Sequence, residues 1–209
     1  VAFKDQTNSD YGTAVVGTVS GTSISFGSTV VFNSNNTSYT NPTFDTSNNK
    51  VVITYRNQST THGTAIVGTV SGTSISFGSA TAWLTSATDY QSITFDSTNN
   101  KVVVVGNSSG GYAAVGTVSG TSISFGTATS FHNAAFVRGA ITFDSSNNKV
   151  VVGYGDSGNS SYGTAATFNY GASNLTSENY IGIAEYAAAD TETATVLIKG
   201  GVSTTQSSL

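Results

Sequence analysis

Apolar and polar residues alternate along this chain in short runs, each closed off by Gly, Asn, Ser or Asp. In Ser74–Phe77, Ile75 and Phe77 fall on one side and Ser74 and Ser76 on the other, the period of two that a β-strand requires. Pro42 to Trp83 holds four such segments: Thr43–Asp45, Val51–Arg56, Thr64–Val70 and Ser74–Trp83. TSNNK joins the first two; Asn tolerates a left-handed backbone there, and an Asp can cap its own turn. Ser71-Gly72 joins the last two, with Gly where a two-residue hairpin needs positive φ. The pattern predicts tight antiparallel hairpins and an all-β chain.

The arrangement recurs. VGTVSGTSISFG is spelled letter for letter from Val16, Val67 and Val115, placing Gly17, Gly68 and Gly116 at intervals of 51 and 48 residues. The TFD triplet ends at Asp45, Asp96 and Asp144 with the same intervals, and leads each time into NNK, ending at Lys50, Lys101 and Lys149. Four antiparallel strands in a unit of about fifty residues are the signature of a propeller blade. We therefore expect a β-propeller-like array, with a β-prism or a stacked β-solenoid fibre as the alternatives. The repeat domain is expected over residues 1–170. It begins with a blade lacking its first strand (Val1 to about Phe32), continues through two complete blades, and ends with an atypical one from near Ala140. In that last unit the phrase gives way to FNYGASNLTSENYIGIAEY. Residues 171–209 are expected to form a β-rich closing or linking segment, with Thr195–Lys199 as a candidate for the missing first strand. A start at Val1 inside a repeat suggests an excerpt of a longer protein.

Composition narrows the chemistry. With 37% apolar residues among 209, the chain can bury a core, and its apolar runs are far shorter than the roughly 20 residues a spanning helix needs. Cys is absent, which removes disulfides and thiol chemistry. Seven basic against 11 acidic side chains, without a Lys/Arg cluster, argue against nucleic acid as a partner. GNSSG at Gly106–Gly110 and GDSG at Gly155–Gly158 look like hydrolase strings, and His62, Asp96 and Ser157 follow the His, Asp, Ser order. A nucleophile elbow needs a strand feeding a helix, however, and GDSG stands where other units have equally polar loops. One carboxylate per hairpin is too little charge for calcium, so Asp45, Asp96 and Asp144 are read as turn caps. No enzyme activity, cofactor or metal is expected.

Differences between units point to a possible site. The D-x-x-N-N-K and S-G connections barely change, whereas the other two change in length and content and must share one edge of an up-and-down meander. Tyr39 and Tyr90 each stand five residues before the Phe of TFD, and Arg138 holds that place in the next unit. Tyr11, His62, Tyr112 and Tyr162 precede the third strands. Tyr, His and Arg interleaved with Asn, Ser and Asp suit a sugar, whose apolar face stacks on Tyr while its hydroxyls pair with amides and carboxylates.

ITFDSTNNKVVVV and GTAIVGTVSGTSISFGSAT, with the tail LTSENYIGIAEYAAADTETATVLIKGGVSTTQSSL, resemble repeat regions of tail-fibre-like and other virion structural proteins of marine bacteriophages infecting cyanobacteria. The resemblance covers nearly the whole chain. It implies a virion or extracellular surface location and no catalytic residues. The expected function is a non-enzymatic host-recognition module binding a host-surface polysaccharide and associating with other virion or fibre subunits as a homo-oligomer. The alternative is a structural spacer or filament subunit assembling through unpaired strand edges.

Overall fold

In a computed structural model the chain is all-β, built of several antiparallel sheets, none of them closed. The structure describes residues 1–171 and the short segments 174–176, 183–184 and 196–197. The first unit supplies β1 (Ala2–Asp5), β2 (Tyr11–Ala14), β3 (Gly17–Ser20) and β4 (Ser23–Phe26). β5 (Val30–Asp45) then carries the chain into the second unit, which continues as β6 (Lys50–Asn57), β7 (His62–Ser71), β8 (Ser74–Phe77) and β9 (Thr81–Ala87). The third comprises β10 (Asp89–Asp96), β11 (Lys101–Asn107), β12 (Gly111–Ser119), β13 (Ser122–Phe125) and β14 (Thr129–His132). β15 (Phe136–Asp144), β16 (Lys149–Asp156) and β17 (Tyr162–Gly171) follow, then the short β18 (Asn174–Thr176), β19 (Ile183–Ala184) and β20 (Val196–Leu197).

Pairing is the same wherever the sequence repeats. Asp45 opposes Lys50, Asp96 opposes Lys101 and Asp144 opposes Lys149. Ser20, Ser71 and Ser119 oppose Ser23, Ser74 and Ser122 across the S-G turns, whose Gly21, Gly72 and Gly120 have φ near +60°.

Two strands differ from expectation. The fourth strand is split into β8 and β9, both paired with β7, because the chain steps aside at Gly78. Gly78 donates to Val67 O at 3.0 Å, and a Cβ at Gly78 would overlap the Thr121 carbonyl oxygen of the next unit's S-G-T turn. Gly27 meets Thr73 in the same way. The first strand, conversely, starts well before Thr43, since β5 runs 16 residues through a bulge and pairs with β2 and then β6. Of the expected closing strand, Val196–Leu197 pairs with Ile183–Ala184; the rest of it, like most of the 171–209 segment, lies outside the described residues.

Each Asp of TFD caps its turn. Asp45 accepts from Ser47 N at 2.9 Å, Asn48 N at 3.0 Å and Asn48 Nδ2 at 2.9 Å, and Asp96 and Asp144 receive the equivalent bonds. Asn49, Asn100 and Asn148 take the left-handed position that follows, with φ near +54°. Burial alone would raise the Asp45 carboxyl, but the hydrogen bonds from Ser47 and Asn48 together outweigh it and hold the pKa below 3.8. A lowered carboxyl stabilises the fold above its unfolded value and loses that contribution as pH falls through the folded one.

Two outcomes follow. Asp45→Ala lowers stability at pH 7 by about 1–3 kcal/mol, and its gap to the wild type, read by urea unfolding, narrows as pH drops below about 3.8. Gly78→Ala lowers it by about 2 kcal/mol or more. Gly126→Ala, whose Cβ meets nothing nearer than Val115 O at 3.9 Å among the described residues, stays within about 0.5 kcal/mol of wild type in the same urea unfolding.

Candidate functional site

The loops that differ between units gather at one edge, where hydrogen bonds tie the two kinds together. Thr37 N donates to Asp10 O at 3.0 Å, Thr88 N donates to Thr61 O at 3.1 Å, and the Ser86 and Ser108 hydroxyls lie 2.7 Å apart. The S-G and Asp-capped turns occupy the other ends of the same strands.

At this edge Tyr39, Tyr90 and Arg138 each sit in a β-bulge, where the register shifts between Ser38 and Asn41, Asp89 and Ser92, and Val137 and Ala140. All three are left-handed, with φ of 53°, 48° and 53°. That conformation costs a residue other than Gly roughly 1–2 kcal/mol, and bulges of this kind ordinarily take Gly. The same chain puts Gly or Asn in the left-handed positions of its constant turns, yet here it places two aromatics and an arginine.

The Tyr39 and Tyr90 rings lie 5.3 Å apart at 54°, and Tyr39 is 37% exposed. Between them runs an ion pair: Arg56, opposite Ser38 at the end of β6, contacts Asp89, the residue before Tyr90. Gln58 Nε2 donates to Ser38 Oγ at 2.8 Å. Burial first, then the Asp89 charge and Tyr90, raise the Tyr39 phenol above 10, against a smaller opposing pull from Arg56. Its hydroxyl therefore stays protonated and able to donate throughout the neutral range. Arg138 is exposed and makes no ring contact or ion pair with either Tyr among the described residues.

The second set of residues is less uniform. Tyr11, His62 and Tyr162 begin β2, β7 and β17, each followed by a Gly and a Thr whose hydroxyl donates back to the carbonyl of Tyr11, His62 or Tyr162. Tyr112 does not share that register. Gly12, Gly63 and Gly111 are the equivalent glycines, lying against Phe32, Trp83 and Phe131, so the counterpart of His62 is Gly110. Tyr112 stands two residues further along, half-buried against the cluster that holds Val102, Val104 and Ala114. The extra Gly of GNSSGGY shifted the match.

Three features at this edge escaped sequence reading. One is the Arg56–Asp89 pair. A second is Gln91, buried, whose Oε1 accepts from Thr54 Oγ1 at 2.7 Å and Trp83 Nε1 at 3.0 Å. The third is His132, whose Nε2 lies 2.8 Å from Oδ1 of the buried Asp156 and whose ring lies 5.1 Å from that of Tyr154, tilted at 50°. The available signal was divergence between units for Arg56 and Gln91, which stand where the other units carry a different residue, but not for Asp156, whose place in the first unit is held by Asp5.

The hydrolase strings are loop structure. Asp156 of GDSG also accepts from Gly158 N at 2.8 Å, and Ser108 of GNSSG donates its N–H to Gly110 O at 2.8 Å. Asp96 lies at the opposite edge from His62. No group of three His, Asp or Glu residues placed to hold a metal occurs among the described residues, and no described helix is long and apolar enough to cross a membrane.

No protein-family model and no curated protein matches the chain. The reading of this edge therefore rests on its own geometry.

The strain has a direct measure. At the exposed position 138, Arg138→Gly is expected to be more stable than Arg138→Ala by about 1 kcal/mol, because Gly adopts φ of 53° without penalty. Equal stabilities in chemical unfolding would mean the bulge relaxes and stores nothing.

Proposed function

We propose that the chain is a non-enzymatic recognition module of a virion fibre or comparable surface appendage, and that its variable edge binds a host-surface polysaccharide. Its units form consecutive blades of a propeller-like array, with the row Tyr39, Tyr90 and Arg138 along one rim. The observation that carries this reading is the left-handed backbone at three equivalent bulges occupied by Tyr, Tyr and Arg. Strained backbone held at equivalent places is a mark of functional positions.

The chemistry suits a sugar. Two tilted phenol rings offer an apolar wall to the C–H face of a pyranose, the Tyr39 hydroxyl donates, and the Asp89 carboxylate, steadied by Arg56, accepts from ring hydroxyls. Arg138 adds a cation for an acidic sugar. What supports a reading without catalysis is that Asp45, Asp96 and Asp144 are engaged as turn caps, away from this rim. Weak single contacts suffice on a particle that carries many copies, since linked sites multiply affinity.

The test is a glycan-array and host-cell binding screen of the protein beside a Tyr39→Ala/Tyr90→Ala/Arg138→Ala variant. Saturable binding to one sugar class, weakened at least about tenfold in the variant, is the expected result. Binding that the variant retains in full would move the site off this rim.

A further inference from the structure

The three equivalent bulges at the rim are neighbours in space. β10 packs against both β5 and β15, and Asn41 Nδ2 of β5 donates to Gln91 O of β10 at 3.1 Å. Tyr39, Tyr90 and Arg138 therefore follow one another across three adjoining strands, each in the same left-handed backbone. Tyr39 reaches the ring of Tyr90, and Tyr90 packs on the cluster that holds Phe136, the first residue of β15. The row thus leads from two aromatic rings toward the strand that carries the arginine.

Charge sets the last member apart. Three Lys or Arg side chains of the described residues stand at this edge. Lys4 is 3.1 Å from Asp10, and Arg56 contacts Asp89, so each already has a carboxylate within the fold. Arg138 is exposed and takes part in no ion pair among the described residues. A guanidinium held where the backbone favours Gly, with no internal anion, is available to an anion from outside.

We propose that the ligand of this rim is an acidic polysaccharide, in which one sugar ring rests on Tyr39 and Tyr90 while the carboxylate or sulfate of a neighbouring residue meets Arg138. The inference rests on the recognition reading above and adds to it the charge of the ligand and its order along the row. Aromatic rings give contact area that needs no charge on the sugar, whereas the planar fork of Arg pairs with two oxygens of one anionic group. Because Lys4 and Arg56 are engaged, that group has one address on the rim. The whole chain carries a formal charge of −4, so its overall field repels a polyanion and the attraction depends on this one residue.

The test adds matched polymers to the glycan array: polygalacturonate beside its methyl ester for a carboxylate, and dextran sulfate beside dextran for a sulfate. The wild type binds charged glycans at least about tenfold more tightly than uncharged ones on the same backbone, and the pair that shows the gap identifies the anion. Added salt narrows it. Arg138→Gln abolishes the gap, Arg138→Lys keeps part of it, and Tyr39→Ala weakens charged and uncharged binding alike. Arg138→Gly removes the charge in a residue that suits this backbone, and serves should Arg138→Gln melt early. Equal binding of charged and uncharged glycans, or a gap that Arg138→Gln and Arg138→Gly leave intact, overturns the acidic ligand while the recognition reading stands. No binding to any glycan, charged or uncharged, overturns both.

Discussion

An antiparallel sheet with apolar faces is stable only when those faces are covered, and packing of one unit's apolar face on its neighbour's is the constraint on which the rest of this structure depends. Its clearest trace is the run Val102–Val105, four consecutive valines that are all fully buried. Val102 and Val104 point to the preceding unit and Val103 and Val105 to the following one, so alternation disappears where both faces are covered. Sheets at packing distance leave little space where turns and strand ends of adjacent units cross, and the repeated phrase fits that geometry. Its first Gly lets the Ile and Phe of SISF lie across the ladder, as Ile75 and Phe77 do over Gly68, and its last abuts the next unit's turn, as Gly78 does Thr121. The first two copies are thus fixed by contacts at both ends, whereas the last Gly of the third, Gly126, has only Val115 O, at 3.9 Å, near its Cβ position among the described residues.

The two edges of the sheets obey different rules. At the constant edge the left-handed positions are filled by Gly and Asn, and buried or partly buried carboxylates close their own turns, so local conformation and local chemistry agree. At the other edge they conflict: Tyr39, Tyr90 and Arg138 occupy a conformation that suits none of them. Tyr39 and Tyr90 recover part of the cost through ring contact. Arg138, exposed, has no such return within the described residues, and its place in the same backbone geometry makes the row more informative than any one member.

Sequence reading captured the parts governed by local rules. Hairpin positions, the Asp caps and the S-G turns follow from turn chemistry, which acts over three or four residues. What it lost depends on neighbours fifty residues away. The step at Gly78 sets the chain against Thr121 of the next unit, and in the continuous β5 a bulge absorbs the change of partner from β2 to β6. Tyr112 was misplaced by counting forward from a loop; counting back from Gly116 would have aligned Gly111 with Gly63 and left Tyr112 inside the strand. His132 and Asp156 come from different units, so neither sequence neighbourhood hints at their bond.

Identical phrases create a hazard, because a sheet could pair with the wrong neighbour or with one from another chain. The buried residues that are not repeated counter it. Between the second and third units Trp83 and Thr54 converge on the amide of Gln91, and around the start of the fourth Phe136 and His132 lie against Tyr154, whereas Phe32 on Tyr55 and Phe131 on Tyr154 are one pair used at two junctions. Moving the second unit to another place would leave Gln91 without its buried partners, at a cost of the order of 1–3 kcal/mol per unsatisfied group. The repeated residues thus set the shape of the junctions, while unrepeated ones such as Gln91 distinguish one junction from another.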